Sequence, residues 1–251
     1  MIPDANRFSD ALSRAESEIA DHGIGTLSER ILHRALKYYF EPNSEYHEVE
    51  FLGSIADIKN PQGIIEIQTR SLSRLSKKLE KFLPEERVTV VYPIAVERRM
   101  SWLDEESGET TPFRKVSRRG RASDALKELS LIADILLNEN LTVVLVLLNT
   151  EEIKLKNGVG RDKKRGGERI ARIPKQLVDI IELKSKRDYI RLIPSPILLE
   201  NPQDFTAKEF YRAAALRGRR SYYALKLLLD LGVLSREKRG REYIYKIIEE
   251  K

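Results

Sequence analysis

The sequence predicts an α/β protein, with one mixed β-sheet flanked by helices and a small carboxyl-terminal domain of two helices and a hairpin. Three observations predict it. Between residues 26 and 148, apolar residues at helical spacing alternate with short runs rich in Ile and Val, the pattern of strands joined by helices. Asn60-Pro61-Gln62-Gly63 parts two of those runs with a turn sequence, Pro presetting the second position and Gly suiting the fourth. Pro194-Ser195-Pro196 and Asn201-Pro202 then read as a linker, which divides the chain into domains of residues 1–197 and 203–251.

The elements follow in order. Residues 8–21 form a polar amphipathic helix that Gly23 and Gly25 break. Thr26-Leu27-Ser28-Glu29 is a capping-box sequence opening a second helix to about Phe40, with Leu27, Ile31, Ala35 and Tyr38 or Tyr39 inward. A strand over residues 46–52 precedes the hairpin at 54–68. Leu72, Leu75, Leu79 and Phe82 mark a helix that Pro84 ends, and the valine-rich run 87–94 is a buried strand. Residues 100–116 read as an inserted hairpin around Glu106-Ser107-Gly108, and Ser123 as the cap of a helix to about Leu137. The continuous apolar run 141–148 suits a strand covered on both faces. From 151 to 172 periodicity is lost and the chain reads as a basic loop centred on Lys163, Lys164 and Arg165, either a phosphate-contacting arm or a solvated charged loop. Residues 174–196 return to the first domain.

The hairpin carries the chemistry. With Asn60 opposite Gly63, Ile58 lies across from Ile65, Ala56 from Ile67, and Asp57 from Glu66, so one face is apolar and the other acidic. Opposed residues stand about 5 Å apart at Cβ, close enough for two carboxylates to share one divalent cation. The alternative is the solvated outer face of an edge hairpin. Glu29, His33 and Lys37 recur every fourth residue along one helix stripe, which could overlook that hairpin. Glu29 has two readings, as a metal ligand or as the acid that closes the capping box on Thr26. His33 likewise is either a general base or phosphate ligand, or a packed histidine.

Composition narrows the class. The 251 residues include 45 Lys and Arg against 39 Asp and Glu, a net charge of +6, which suits nucleic acid as a partner. There is no cysteine, so disulfides, thiolate metal sites and thiol nucleophiles are excluded, and three histidines make a His-rich zinc site a poor fit. No apolar run reaches membrane-spanning length and no signal segment opens the chain, so no membrane partner and a cytoplasmic location are expected.

In the carboxyl-terminal part, Thr206 to Glu209 is a second capping box, Gly218 turns the chain, and a helix from Arg219 carries Ala224, Leu225, Leu228 and Leu231 inward. Two short strands flank the basic run 236–241. Helix, turn, helix and basic hairpin resemble a winged helix. Such a domain would offer Arg219, Arg220, Tyr222, Tyr223 and Lys226 to a major groove and Lys238, Arg239 and Arg241 to phosphates. A winged helix that binds protein is the alternative.

The order helix, three strands, helix, strand, with Glu29 on the first helix, Asp57 on the second strand and Glu66-Ile67-Gln68 on the third, resembles the PD-(D/E)XK, or restriction-endonuclease-like, superfamily. The resemblance covers residues 26 to about 148. It implies hydrolysis of nucleic-acid phosphodiesters, with DNA the leading reading and RNA open, by a divalent cation, Mg2+ or Mn2+, held by Asp57 and Glu66 with Glu29 as a further ligand. It also admits a homodimer, with the amino-terminal helix or the 100–116 hairpin as interface. Gln68 stands where the family usually has lysine, and glutamine carries no charge. Lys59 and Arg70, on the strand faces of Asp57 and Gln68, are the candidates to supply it. An inactive nuclease core that serves DNA binding or regulation, and an interaction scaffold that uses both modules, are the other functions expected.

Overall fold

The computed structural model describes residues 2–20, 27–156, 167, 169–200, 204–216 and 218–248. Two helices, α1 (Ala5–Ala20) and α2 (Leu27–Phe40), pair first. Phe8, Ala11 and Ala15 of α1 and Leu32, Ala35, Leu36 and Tyr39 of α2 are buried together, which follows from their helical spacing. Polar clamps fix the pair: Arg34 bonds Glu18 at 3.1 Å, and Arg14 lies 4.0 Å from the centre of the Tyr38 ring. The orientation of α2, which faces the site, is thus set by α1.

The main sheet is mixed. Strands β1 (His47–Phe51), β2 (Ser54–Asn60) and β3 (Gly63–Ile67) form an antiparallel meander. Beyond it lie β4 (Val88–Leu103), with the short β5 (Arg114–Lys115) on its distal part, then β6 (Leu141–Leu155) and β7 (Arg169–Leu183). The strand order is β1-β2-β3-β4-β6-β7. β3, β4 and β6 are parallel to one another, and β7 is antiparallel to β6. The expected 100–116 hairpin is present, as β5 returning along β4 with Arg99 opposite Lys115.

Parallel neighbours need crossovers, and both crossovers here are helical and cover one face of the sheet. The first holds a 3-10 turn at Leu72–Leu75 and α3 (Ser76–Phe82); the second holds α4 (Leu126–Leu129) between 3-10 turns at Ala122–Ala125 and Ser130–Ile135. Leu79, Phe82, Leu126 and Leu129 pack there on Val88, Val90, Val143 and Leu145. The alternate residues Val91, Val144 and Val146 meet α1 and α2 on the other face. The period-two alternation of β4 and β6 therefore serves two cores.

The second crossover departs from the single helix expected from Ser123 to Leu137. Ile132 leaves helical geometry (φ −130°, ψ 28°), and the start is capped by Asp124, which accepts the Arg121 amide at 3.0 Å. Ser123 is buried instead. The expected loop over 151–172 is also corrected: residues 151–155 and 169–172 continue β6 and β7. Charged side chains hid the strand pattern, because they pair across the ladder. Arg99 meets Glu151 at 3.0 Å and Arg172 meets the buried Glu152 at 3.0 Å. Lys163, Lys164 and Arg165 lie outside the described residues.

After β7, a 3-10 turn at Lys186–Leu192 and α5 (Ser195–Glu200) lead into β8 (Phe205–Thr206), α6 (Ala207–Ala213), α7 (Arg219–Asp230), β9 (Leu234–Arg239) and β10 (Glu242–Ile247). The three strands form a second sheet in the order β8-β10-β9. Where a linker was expected at Pro194-Ser195-Pro196, α5 begins and Ile197 is buried. Phe205, Phe210, Leu225 and Tyr245 join the same core as Val90 and Val143. The capping box of α6 is formed, Thr206 Oγ1 accepting the Glu209 amide while Glu209 accepts the Thr206 amide.

Candidate active site

The β2–β3 hairpin builds the floor of the site. Its register pairs Asn60 with Gly63 and Ile58 with Ile65, as the turn and the apolar pattern require. Gly63 takes φ +129°, and a Cβ there would run into the Arg87 carbonyl oxygen, so the position demands glycine.

Past Ile58 the ladder opens, and here the expectation of one apolar and one acidic face is corrected. Ala56 packs with Leu79 on the α3 side, whereas Ile58 packs with Leu32 and Leu36 on the α2 side. The strand turns over at Asp57, opposite Glu48, which holds φ +54° on β1. Asp57 Oδ2 accepts the Ile67 amide at 2.8 Å, the bond a strand carbonyl would otherwise take. Two carboxylates still share the locality, but Asp57 is bonded to the β3 backbone and His33 of α2, and Glu66 to Lys78 of α3.

Each acid has a different partner. His33 Nε2 of α2 sits 3.3 Å from Asp57 Oδ2, and Lys37 Nζ, one turn on, meets Glu48 at 3.0 Å, so of the expected stripe His33 overlooks the hairpin and Lys37 the neighbouring β1. Glu66 is 1% exposed, and Lys78 Nζ of α3 donates to both its oxygens at 3.0 and 2.9 Å and to the Ile55 carbonyl at 2.6 Å. Burial would raise the Asp57 carboxyl, but His33, the Ile67 amide and Lys78 outweigh it and hold the group below the usual range. Burial and the charge of Asp57 push Glu66 up, against the pull of Lys78. The two acids are thus shifted in opposite directions by different neighbours.

A cleft of about 400 Å³ opens over these groups. Its rim is basic: Arg70, Arg74, Lys77 and Lys78 line it with His33, Asp57 and Glu66. Gln68 also lines it, with its Oε1 accepting the Arg70 amide at 3.0 Å. Lys59 does not. Its Nζ bonds Glu86 at 3.0 Å and lies 4.5 Å from the centre of the Phe51 ring. The side chain of Glu29 lies outside the described residues. Among the described residues, no group of three or more His, Asp or Glu side chains is arranged to hold a metal.

Lys78 was missed by sequence reasoning because it sits ten residues beyond the strand position where a lysine was sought. One signal was present. The stripe Leu75, Leu79 and Phe82 fixes which side of α3 faces the sheet, and Lys78 borders that stripe.

Of the other residues singled out, Tyr222 and Tyr223 are exposed on α7, with Arg219, Arg220 and Lys226 on its solvent side. Lys226 pairs with Asp230 at 2.5 Å. On the β9–β10 hairpin, Lys238 and Arg241 are exposed, while Arg239 is taken up by Asp204 at 2.8 Å and by Glu237.

The fold is of the α/β class, a large mixed sheet flanked by helices. Residues 30–184 match a family described as Domain of unknown function (DUF8091), and the chain belongs to that family. It is also 32% identical over 229 residues to an "Uncharacterized protein" of Treponema pallidum (strain Nichols), across 89% of this chain and 87% of the relative. No solved structure matches. The family match spans His33, Asp57, Glu66 and Lys78 and ends before the carboxyl-terminal elements.

Proposed function

We propose that the chain is a metal-dependent nuclease that hydrolyses DNA phosphodiesters, a PD-(D/E)XK-like core joined to a winged helix that holds the duplex. The observation that carries this reading is the convergence of Asp57, Glu66 and Lys78 in one cleft with a basic rim. An acidic floor under a ring of arginine and lysine suits a phosphodiester, whose charge the rim attracts while the floor admits a cation.

The donor set fits Mg2+ or Mn2+ in kind: two neighbouring carboxylates, one lowered by its hydrogen-bond partners and the other raised by burial and by its neighbour's charge. Asp57 and Glu66 would hold the ion, and Glu29 is the further candidate. The bound cation would polarise the phosphate and lower the pKa of a water. The protein's own groups do the rest. His33 orients Asp57, and Lys78 places an ammonium beside the acids, where charge builds on the phosphate in the transition state. Lys78 thereby takes the part that Gln68 has no charge to play.

A second reading, a DNA-binding protein whose core does not cut, is favoured by one observation: Lys78 engages both oxygens of Glu66. Incubation with plasmid, linear and branched DNA in Mg2+ or Mn2+ separates the two. The nuclease reading expects cleavage that chelator and Asp57→Ala both remove. DNA binding without metal-dependent cleavage on any of these substrates would establish the second reading.

A further inference from the structure

A second cleft, of about 320 Å³, lies between the main sheet and the carboxyl-terminal elements. Residues 92–95 and Arg98 of β4, the segment 118–128, Arg172 of β7, and Leu216 and Arg220 line it. Gly120 lets the 118–121 segment approach β4, since a Cβ there would strike the Ala95 carbonyl oxygen. Arg121 donates to the Ala213 carbonyl, tying this wall to α6.

The charge here is not balanced. Five cations line the cleft against two carboxylates, Asp124 and Glu128. Arg118 pairs with Asp124 at 2.7 Å, Lys127 with Glu128 at 3.2 Å, and Arg172 with Glu152 at 3.0 Å. Arg98 and Arg220 have no carboxylate partner among the described residues, and Arg98 donates to the Arg118 carbonyl at 3.4 Å. Gathering guanidinium groups in a concave site costs free energy that a bound anion removes. Burial pushes the Tyr92 phenol up to about 12, so its O–H remains a donor at neutral pH. Several arginines and a hydroxyl suit the oxygens of a phosphate.

The two clefts are neighbours. The Gln68 amide donates to the Val91 carbonyl, one residue before Tyr92, and the Leu72 amide donates to Glu128 at 3.3 Å. We propose that the second cleft binds a phosphate group, and that this group is a second phosphate of the strand cut at Asp57 and Glu66. The strand as source rests on the nuclease reading; the phosphate chemistry does not.

The test uses the full chain carrying Asp57→Ala and reads binding alone, so it stands whether or not the wild type cuts. Inorganic phosphate and a short single-stranded oligonucleotide are titrated by calorimetry at several salt concentrations. Adding Arg98→Gln and Arg220→Gln together is expected to weaken both phosphate and oligonucleotide binding about tenfold and to lower the oligonucleotide's salt slope by about 1 to 2, with Arg98→Gln alone, on β4 and away from the α7 surface, accounting for part of the loss of each. The oligonucleotide is expected to displace phosphate. Unchanged phosphate affinity in these variants would overturn the proposal, and unchanged oligonucleotide affinity and slope, or phosphate that the oligonucleotide does not displace, would overturn the strand as its source. Arg220→Gln alone, at an exposed position, is expected to keep the melting temperature, so that lost binding is not lost fold.

Discussion

At the residue scale the account turns on Lys78, whose single ammonium serves a carboxylate that is 1% exposed. Removing one partner of a buried pair leaves the other charge unpaired, which costs about 3 kcal/mol. Lys78→Met is therefore expected to lower unfolding free energy by about that amount at pH 7, and Glu66→Gln in the same chain to restore most of it. Denaturant titration checks both. The sign with pH follows from Glu66, whose folded pKa is raised by burial and by Asp57. A raised carboxyl gives stability that is full below its unfolded value, near 4.5, and is lost as pH rises through the folded one. The deficit of Lys78→Met is thus expected to shrink as pH falls toward 4.5. Asp57 runs the other way. Its depressed pKa gives stability that is present above the ordinary Asp value of 3.8 and lost as pH falls through the lower folded value. Asp57→Asn is expected to weaken the acid limb of the stability profile, and an unchanged limb would contradict the role given to its partners.

At the scale of elements, the β2–β3 turn sets where both acids stand. Gly63→Ala would place a Cβ on the Arg87 carbonyl at φ +129°, so a loss of about 2 kcal/mol is expected by denaturant titration and, under the proposed function, reduced DNA cleavage. An unchanged melt would mean that the turn relaxes freely. Most of this level was legible in the sequence. Helical spacing marked α1, α2 and α7, and the turn chemistry and apolar pattern set the register at Ile58 and Ile65. Besides the broken crossover at Ile132 and α5 in place of a linker, three things were not, each for a physical reason. The turnover of β2 at Asp57 arises from a side chain replacing a backbone acceptor, which no periodicity records. The distal parts of β6 and β7 hide their alternation behind paired charges such as Glu152 and Arg172. Lys78 reaches the site through the α3 crossover, and contacts across a crossover depend on how the helix docks. The acids could be read from the hairpin; their cation could not.

At the scale of the whole molecule, the carboxyl-terminal elements share one core with the sheet: α7 packs beside α4, and Phe205 and Leu225 belong to the same cluster as Val90. Calorimetry of the full chain is expected to show one cooperative transition, and a chain ending at residue 200 to expose this core and bind a hydrophobic dye. Two well-separated transitions would contradict a shared core. This arrangement also puts α7, with exposed Tyr222 and Tyr223, on the same body as the acid–lysine cleft, so that under the proposed function a duplex held by one would be presented to the other. The central claim is that Asp57, Glu66 and Lys78 act together in cutting DNA, with Lys78 in place of the charge Gln68 lacks. Single-turnover cleavage of one DNA substrate in Mn2+ tests it most directly, comparing wild type with Asp57→Asn, Lys78→Met and Gln68→Ala. The account predicts a fall of about 100-fold or more for the first two and less than about tenfold for Gln68→Ala. Cleavage by Lys78→Met at the wild-type rate would contradict it.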